Sequence, residues 1–245
     1  MTRGTTPEGA RTEEQAARWV RGMFGSIAPR YDLLNHLLSL NIDRYWRART
    51  VRRVAPILMR ADAAVLDLCC GTGDLMLALE AKRGARVYGS DFCHPMLVAA
   101  QAKVGKRHFG SVLFEADALR LPLADHSLDL ITVAFGFRNL ANYEQGVREF
   151  ARVLRSGGTL AILEFSQPRN ALLSALYNLY SAKILPAIGG LISGSPDAYT
   201  YLPESVRKFP GALELAQMMR RNGFAEVEHE SLTGGIVALH IGHTG

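Results

Sequence analysis

An apolar stretch that leads directly into a glycine-rich turn constrains the fold of this chain more than any other segment. Residues 65–75 have the sequence Val-Leu-Asp-Leu-Cys-Cys-Gly-Thr-Gly-Asp-Leu, and a helical pattern follows them. Asp91 ends the next strand-like segment, 20 residues after Gly71. A strand, a glycine turn and a helix, followed by an acidic residue at this distance, are typical of a nucleotide-cofactor site at the carboxyl end of a parallel sheet.

The turn also narrows the class of cofactor. Met76 occupies the position of the third glycine in the pattern G-x-G-x-x-G. Asp74 places a carboxylate at the start of the helix, where a pyrophosphate would otherwise bind. Both residues disfavour a dinucleotide-dependent oxidoreductase. They favour an adenosyl cofactor without a diphosphate, and S-adenosylmethionine, a sulfonium cation, fits that description.

Strand-like and helix-like segments alternate after about residue 60. The predicted strands are 64–68, 86–91, 111–115, 128–134 and 159–164, and the predicted helices lie near 74–83, 94–104 and 142–154. This alternation predicts an α/β fold with a parallel sheet and helices on both faces. We expect a single domain over residues 13–242, with a helical N-terminal region at 13–60, after a disordered segment at 1–12.

The alternation stops after the fifth strand. Residues 170–192 are apolar and helix-like, but Lys183, Pro186 and two glycines interrupt them, which is too broken for a membrane span of about 20 apolar residues. Residues 196–210 contain three prolines and are predicted to be irregular. A helix near 211–221 and strands near 224–231 and 235–242 follow. The insert at 165–210 is therefore predicted to lie above the strand ends as a substrate lid.

Composition is typical of a globular protein, with 48% apolar and 21% charged residues. The polar first dozen residues predict no signal peptide. Three cysteines, two of them adjacent, favour a reducing, cytosolic setting, and the absence of C-x-x-C or clustered Cys and His residues predicts no metal site. Residues 1–60 contain 11 arginines and 5 acidic residues. This excess fits attraction to an anionic surface, although composition alone favours ordinary solvated helix faces.

Several residues form a candidate cofactor site. Asp67 ends the first strand, and Gly71 and Gly73 let the backbone approach a ligand closely. Asp91 is placed to accept hydrogen bonds from both ribose hydroxyls, and Asp117-Ala118 follows the third strand, where a side chain could meet the adenine amino group. Each residue alone could be an ordinary turn or helix cap. Their order and spacing together favour the cofactor site.

Two further polar pairs are candidates for the substrate side. Arg138 and Asn139 lie in the segment 134–139, after the fourth strand, where two phenylalanines would suit a flat apolar ring. The alternative is structural: Arg138 could pair with a nearby carboxylate, and Asn139 could cap the following helix. Tyr31 and Asp32 form the second pair, beside an apolar pocket, and capping and core packing explain them equally well.

These segments together resemble the ubiquinone/menaquinone biosynthesis C-methyltransferase family. The matching segments are 23–35, 66–74, 121–129, 134–139, 152–155, 164–168, 201–210 and 232–240. They extend over nearly the whole chain. The glycine turn is shared by many methyltransferases, whereas Arg-Tyr-Asp at 30–32, Phe-Gly-Phe-Arg-Asn at 135–139 and Leu-Pro-Glu-Ser at 202–205 are much more specific.

The resemblance implies a class I S-adenosylmethionine-dependent methyltransferase fold, Rossmann-like, with seven strands of which the last is antiparallel. It implies methyl transfer to a ring carbon of a polyprenylated quinol, with Thr72, Asp91 and Asp117-Ala118 as cofactor contacts. Ser156 stands where the family usually has proline. Ala134 stands where some members have a serine that contacts the cofactor, which puts that contact in doubt.

For this chemistry, loss of a quinol hydroxyl proton sends electron density to the ortho carbon, which then attacks the sulfonium methyl group. Arg138, Asn139, Tyr31 and Asp32 are the candidates for substrate positioning and phenolate stabilisation. Arg138 stays protonated and is not an ordinary base. Because the isoprenoid tail lies in the bilayer, we expect peripheral membrane binding through the basic helices and residues 170–192, on the inner face of the cytoplasmic membrane.

Other functions remain open at this stage. A methyltransferase for another small phenolic or lipid substrate, and a non-catalytic scaffold of a quinone-synthesis complex, would both keep the fold. A nucleic-acid methyltransferase is disfavoured, because the loop after the fourth strand is Ala-Phe-Gly-Phe rather than the Asn/Asp-Pro-Pro-aromatic sequence used on amino nitrogens. The acceptor could be a naphthoquinol, which we favour, a benzoquinol or both. The oligomeric state, a homodimer included, is open.

Overall fold

The computed structural model of the chain describes residues 4–107, 109–168, 170 and 196–245, without the side chains of 196–200. The apolar segment predicted at 170–192 and most of the lid predicted at 165–210 lie outside the described residues.

Helices and strands alternate along the described part of the chain. The helices are α1 (Glu13–Ile27), α2 (Tyr31–Leu38), α3 (Ile42–Leu58), α4 (Asp74–Arg83), α5 (His94–Val104), α6 (Tyr143–Val153), α7 (Pro196–Lys208) and α8 (Ala212–Arg221). The strands are β1 (Val65–Leu68), β2 (Tyr88–Asp91), β3 (Val112–Glu115), β4 (Leu128–Ala134), β5 (Leu154–Phe165), β6 (Phe224–Leu232) and β7 (Val237–Thr244). Short 3₁₀ turns lie at Ala28–Arg30, Phe137–Asn139 and Thr233–Gly235.

The strands form one seven-stranded sheet in the order β3-β2-β1-β4-β5-β7-β6. The strand pairs β3–β2, β2–β1, β1–β4 and β4–β5 are parallel. Strand β7 is antiparallel to both of its neighbours, β5 and β6. The class I methyltransferase fold is therefore confirmed, including its antiparallel last strand. Successive strands are added to one side of β1 up to β3, and β4 is then added on its other side. This change of direction between β1 and β4 opens a crevice at the carboxyl ends of these strands.

Alternate residues of the central strands supply two apolar layers, because side chains of a strand point to opposite faces. Ile131 and Ile162 belong to one layer, which α6 and α8 cover. Leu130 and Ala161 belong to the other, which α3 and α4 cover. Burial on both faces explains why the central strands are almost continuously apolar in sequence.

The sequence predicts most element bounds to within a few residues, but β5 begins earlier than predicted. Leu154 already pairs with Leu128, ahead of a register shift in β4. Ser156 and the two glycines after it therefore lie within the strand as a local irregularity, with Gly157 at φ +71°. Leu154 pairs with Leu128, a residue far away in the chain. The local sequence Ser-Gly-Gly at 156–158 indicates a turn and does not reveal this pairing.

Helix α3 of the N-terminal region packs into the apolar layer beside α4, whereas α1 and α2 belong to a separate apolar cluster with α5. Trp46 on α3 is buried in the layer beside α4, and its Nε1 donates a hydrogen bond to Thr233 Oγ1 at 2.8 Å. Residues 4–12, for which the sequence predicts disorder, have no helix or strand, yet Thr5 is buried. Its amide donates to the Leu140 carbonyl at 2.8 Å. This anchor depends on a distant partner, which a polar composition does not reveal.

Residues 196–208 form a helix, so the irregular structure predicted for 196–210 is wrong there. Pro196 is its first residue, a position at which the missing amide hydrogen breaks no helical bond. Pro203 lies inside the helix and removes one backbone donor. Burial of Tyr201 and Val206 offsets that cost, because each is only 6% exposed.

We predict that Phe150→Ala lowers the free energy of unfolding by about 3–5 kcal/mol, because it removes a fully buried ring from the core. The ring lies edge-on to Phe137, so the change also loosens the loop that lines the cleft. Urea unfolding measures the effect. Glu144→Ala, on the exposed face of α6, is the control and should cost less than about 1 kcal/mol. Equal losses for the two variants would contradict this account of the core.

Candidate active site

A cavity with about 740 Å³ of empty space, part of it open to solvent, lies at the carboxyl ends of β1, β2, β3 and β4. We call it the main cavity. Six residues singled out from the sequence line it: Tyr31, Gly71, Asp91, Asp117, Ala118 and Asn139. Its remaining lining is mostly apolar, and includes Phe24, Phe92, Met96 and Phe135. A mostly apolar cleft with a few converging polar groups is the usual form of a small-molecule site.

Asp91 connects the ends of two neighbouring strands. One carboxylate oxygen accepts the Gly71 amide at 2.9 Å, and the other accepts the Cys93 amide at 2.9 Å. Burial raises the pKa of Asp91, while these amide hydrogen bonds oppose the rise. Each oxygen keeps a further lone pair, so the fixed carboxylate can accept two hydroxyl donors from a ligand in the main cavity.

The two glycines of the turn have different roles. Gly71 has a φ of +55°, a left-handed conformation that favours glycine, and it lines the main cavity. Gly73, at φ +87°, precedes α4 and does not line the cavity. A side chain there would lie 3.4 Å from Ala100 on α5, so this glycine serves close packing between helices.

Asp117 and Ala118 lie where the sequence predicts them, at the rim of the cavity after β3. Ala118 is buried, whereas Asp117 is exposed and accepts the Leu119 amide at 2.9 Å. Its second oxygen has room for a ligand donor. Asp74 lies at the start of α4 and forms an ion pair with Lys103 at 2.8 Å. A diphosphate would meet this carboxylate, so the site fits an adenosyl group without one.

A smaller compartment, with about 350 Å³ of empty space that is partly open to solvent, adjoins the main cavity. We call it the second compartment. It shares Tyr31, Cys69, Gly71, Ala134 and Phe135 with the main cavity, and adds Arg47, Asp67, Cys70, Thr72, Asp74 and Leu75. Asp67 and Thr72 are thus brought to the site as predicted. Arg47 was not singled out from the sequence, although Asp43 four residues earlier and Trp46 beside it are signals of a buried, paired arginine.

The loop after β4 is pressed against the turn after β1. A side chain at Gly136 would come within 2.4 Å of Cys69 Cβ, so only glycine fits. Phe135 has a φ of +58°, rare for a non-glycine residue, and its amide donates to the Leu163 carbonyl at 2.8 Å. Its ring packs 4.9 Å from Phe165, centroid to centroid. Strained backbone of this kind concentrates at functional sites.

Phe137 does not share this position. It is fully buried and stacks on Tyr143 at 5.5 Å between ring centroids. The expectation that both phenylalanines of the loop would face a flat ligand is therefore wrong for Phe137. The loop turns between the two, sending one ring to the site and the other to the core.

Arg138 is buried and forms an ion pair with Glu164 on β5, with 3.0 Å between Arg138 Nη1 and Glu164 Oε1. Glu164 also accepts the Arg138 amide at 3.2 Å, and Arg138 Nη1 donates to the Phe135 carbonyl. Burial is the largest effect and opposes the charge on Arg138, but Glu164, Tyr201 and Tyr31 together outweigh it and raise the pKa of the guanidinium. Among the described residues, Arg138 Nε has no hydrogen-bond partner.

Asn139 lines the main cavity, and its side-chain oxygen accepts a hydrogen bond from Tyr201 on α7 at 3.0 Å. It does not cap α6, because Asn142 does so by accepting the Gln145 amide. The capping alternative for Asn139 is therefore excluded. For Arg138, the pairing alternative is real: Arg138 lines neither cavity, and only its Nε lacks a hydrogen-bond partner among the described residues.

Tyr31 and Asp32 differ in position. Tyr31 lines both cavities, and burial raises the pKa of its phenol, so it stays protonated at neutral pH. Asp32 lines neither cavity. It accepts the Thr72 hydroxyl on one oxygen and pairs with Lys103 at 2.6 Å on the other. Asp32 therefore contacts the glycine turn and does not face either cavity.

Asp67 is almost completely buried, and the Thr132 hydroxyl donates to it at 2.6 Å. Burial raises the pKa of Asp67 to about 7, against the lowering effect of that hydrogen bond. In the unfolded chain the pKa is about 3.9. The folded state therefore binds more protons between these values, and the contribution of Asp67 to stability falls as the pH rises from about 4 to 7.

We predict that Asp67→Asn removes this pH-dependent component. Relative to the parent chain, the free energy of unfolding of the variant should increase by about 2–3 kcal/mol between pH 5 and pH 7. Urea unfolding at both pH values measures the difference. Asp62→Asn, at an exposed aspartate, should show no such change. A difference for Asp67→Asn that stays constant with pH would contradict the raised pKa.

Comparison with known proteins gives a family. The model of the ubiE/COQ5 methyltransferase family matches residues 11–244. A protein of Thermus thermophilus named demethylmenaquinone methyltransferase is 48% identical over 221 residues, which are 90% of this chain and 99% of that protein. A protein of Syntrophotalea carbinolica named ubiquinone/menaquinone biosynthesis C-methyltransferase UbiE is 47% identical over 223 residues, 91% of this chain and 92% of that protein.

Solved structures support the fold. A SAM-dependent methyltransferase from Thermotoga maritima has a TM-score of 0.65 at 16% identity, over 92% of this chain and 100% of that one. A SAM-dependent methyltransferase from Aquifex aeolicus has a TM-score of 0.56 at 19% identity, over 79% and 88%. The cofactor is S-adenosylmethionine, as the site geometry and the family both indicate. The chain belongs to the ubiE/COQ5 methyltransferase family.

Proposed function

We propose that this chain transfers the methyl group of S-adenosylmethionine to a ring carbon of a polyprenylated quinol, with demethylmenaquinol as the preferred acceptor. One observation carries the proposal: the main cavity combines the polar groups of a cofactor site with an apolar, aromatic lining. Asp91 and Asp117 lie in the same cavity as Phe24, Tyr31 and Phe135. The names of the relatives support a quinol acceptor, and the Thermus relative is named for demethylmenaquinone.

S-adenosylmethionine supplies an electrophilic methyl group when bound. The protein must make a ring carbon nucleophilic, which requires loss of the proton on the neighbouring hydroxyl. A buried cation beside the hydroxyl oxygen stabilises the phenolate, because electrostatic interactions are stronger in a site that excludes water. The apolar lining of the main cavity excludes water and keeps the ring aligned with the methyl group.

We assign phenolate stabilisation to Arg138, which lines neither cavity itself but contacts Phe135 in the cavity wall. Glu164 and the Phe135 carbonyl fix its Nη1 end, which leaves Nε as an available donor among the described residues. Its raised pKa keeps it cationic, so it acts as an electrostatic donor and can hold a water that accepts the proton. Asn139 and Tyr31 position the ring, and Asp32 positions Thr72 on the cofactor side.

A lid at 165–210, within a single domain at 13–242, is part of the proposal. The described part of this segment supports it. Tyr201 on α7 donates to Asn139 in the main cavity, and its ring packs 5.0 Å from Trp19 on α1, centroid to centroid. A helix in this position encloses the substrate side of the cavity.

Turnover with two acceptors tests the choice of quinol. Purified chain, S-adenosylmethionine and a short-tailed demethylnaphthoquinol should yield S-adenosylhomocysteine with a larger kcat/KM than the corresponding benzoquinol. Equal values would support a dual acceptor. Turnover with simple phenols but with neither quinol would favour the alternative of another small phenolic substrate, and binding of cofactor without any turnover would favour a scaffold.

We predict that Arg138→Lys lowers kcat by about 10²–10³-fold, because a lysine keeps the charge but loses the donor fixed by Glu164. Binding of S-adenosylhomocysteine, measured by calorimetry, should change less than about twofold because Arg138 lies behind the cavity wall and lines neither cavity. Arg148→Lys, at an exposed position, is the matched control. Full turnover by Arg138→Lys would contradict the assigned role.

The proposed location is the cytoplasm, at the inner face of the cytoplasmic membrane. Cys69, Cys70 and Cys93 are free thiols, which suits a reducing compartment. Within the described ranges, no helix has the length and apolarity needed to cross a bilayer.

An exposed apolar patch on α2 and its C-terminal turn supports peripheral binding. Leu33, Leu37 and Leu40 are 60%, 41% and 71% exposed. Arg30 and Arg44 flank them and are exposed. Leucines that enter the interface, with arginines near anionic headgroups at about 1 kcal/mol each, are the features of a membrane contact. Tyr31 on the same helix lines the main cavity, so the patch lies near the substrate site.

We predict that serine at all three leucine positions weakens binding to vesicles of anionic lipid at least tenfold, because each leucine loses its apolar burial in the interface. Flotation at low salt measures the bound fraction. Leu213→Ser, at an equally exposed leucine on α8, is the control and should bind like the parent chain. Unchanged flotation of the triple variant would remove this patch from the proposal.

A further inference from the structure

A buried chain of polar groups extends from the N-terminal segment to the main cavity. The Thr5 hydroxyl lies 2.6 Å from the phenol oxygen of Tyr201 on α7, and this phenol lies 3.0 Å from the side-chain oxygen of Asn139. All three side chains are buried. Because Asn139 lines the main cavity, the chain connects the N-terminal segment with the site. The proposed mechanism uses Asn139 but assigns no role to Thr5.

The direction of each hydrogen bond in this chain follows from the Asn139 end. Asn139 Nδ2 donates to the Phe135 carbonyl at 3.4 Å, and a carbonyl can only accept. The amide nitrogen therefore lies on the Phe135 side, and the amide oxygen lies on the Tyr201 side. Tyr201 must then donate to that oxygen, which leaves its own oxygen to accept the Thr5 hydroxyl. Burial raises the pKa of Tyr201, so the phenol stays protonated and remains a donor.

The Phe135 carbonyl extends the chain to Arg138, the residue assigned to phenolate stabilisation. Arg138 Nη1 donates to this same carbonyl and also to Glu164. One acceptor therefore holds both Arg138 and Asn139. If the Asn139 amide rotated by half a turn, its oxygen would face the carbonyl oxygen, and two acceptors would repel each other. Tyr201 opposes this rotation as well, because it supplies the donor that the amide oxygen needs on the other side.

The N-terminal segment is fixed to the loop after β4 independently of this chain. The Thr5 amide donates to the Leu140 carbonyl at 2.8 Å. A side chain at Gly4 would overlap another backbone carbonyl of the same loop, so only glycine fits there. The family model matches residues 11–244, which places Gly4 and Thr5 before the matched part of the chain. Thr5 is thus held in place beside the site by a segment that the family model does not include.

We propose that Thr5 and Tyr201 are positioning residues, which hold the Asn139 amide so that its nitrogen donates a hydrogen bond to an oxygen of the bound acceptor. The inference rests on the proposed function, because it requires a quinol in the main cavity. Asn139 Nδ2 has two hydrogens, and the Phe135 carbonyl takes one of them. The other suits a quinol oxygen, and more so the phenolate formed from it, whereas an amide oxygen in its place would repel the phenolate.

Steady-state kinetics with the whole chain and a short-tailed demethylnaphthoquinol tests the proposal. Thr5→Val keeps the shape of the side chain but removes the donor, and it should lower kcat about 3–10-fold, the range for one neutral hydrogen bond. Thr5→Ser keeps the hydroxyl and should stay within about twofold of the parent chain. Thr6→Val, at the exposed neighbouring threonine, is the matched control and should also stay within about twofold. The KM for S-adenosylmethionine should change less than about twofold in each variant.

Tyr201→Phe distinguishes positioning from a merely structural anchor. It leaves the Asn139 oxygen without its donor and should lower kcat about 10–100-fold. If Thr5 acts through Tyr201, Thr5→Val should cause no further loss of kcat in the Tyr201→Phe background, whereas two separate structural roles predict additive losses. Additive losses would overturn the proposal. So would full activity of Thr5→Val, or equal losses for Thr5→Val and Thr5→Ser.

NMR of the side-chain amides separates this inference from the proposed function. In a chain with isotope-labelled asparagine, the Asn139 amide signal is identified by its loss in Asn139→Asp. Thr5→Val and Tyr201→Phe should both shift this signal, and Thr6→Val should leave it in place. An unshifted signal would overturn the inference even if the quinol is methylated. A shifted signal in a chain that methylates no quinol would contradict the proposed function instead.

The Thr5 variants suffice if Tyr201→Phe does not fold. Thr5→Val must then lower kcat and shift the Asn139 signal, and Thr5→Ser must restore both. A loss of kcat without the shift would overturn the proposal, because Thr5 would then act by a route other than Asn139.

Discussion

The buried ion pair between Arg138 and Glu164 is the interaction on which the substrate side of this molecule depends. It joins the loop after β4 to the neighbouring strand β5, and the same carboxylate accepts the backbone amide of Arg138. The pair fixes the turn that sends Phe135 to the site. Removal of one partner of such a pair typically costs about 3–5 kcal/mol, since the other charge stays buried. The position of Phe135 in the cavity wall and the local stability are therefore linked in this loop.

The cofactor side depends on a comparable connection between neighbouring elements. Asp91 at the end of β2 accepts the Gly71 amide at the end of β1, and Asp32 on α2 accepts the Thr72 hydroxyl in the same turn. The turn is thus held by the sheet on one side and by the N-terminal helices on the other. Gly136 lets the loop after β4 come into contact with this turn. The main cavity and the second compartment consequently share one wall, formed by this turn and the loop after β4.

The sequence predicts the parts of this arrangement that depend on local order. The glycine turn, Asp91 and the residues after β3 follow from the succession of strand and helix, because parallel strands bring their carboxyl ends together. The parts it does not predict depend on distant contacts. Arg47 resembles other arginines of a basic helix until α4 brings Asp74 to it. Phe137 is buried in the core because the loop turns between it and Phe135. The helix containing Pro203 forms because the free energy gained by burying its apolar face exceeds the cost of one lost hydrogen bond.

The central claim is that a cation beside the hydroxyl oxygen makes the ring carbon, and not that oxygen, the nucleophile. The most direct measurement locates the transferred group after a reaction with a donor that carries a deuterated methyl group. Mass spectrometry and NMR of the naphthoquinol product should find the entire label on the ring carbon next to the hydroxyl. Label on the oxygen, as a methyl ether, would contradict the account, because it would mean that the site directs attack by the phenolate oxygen itself.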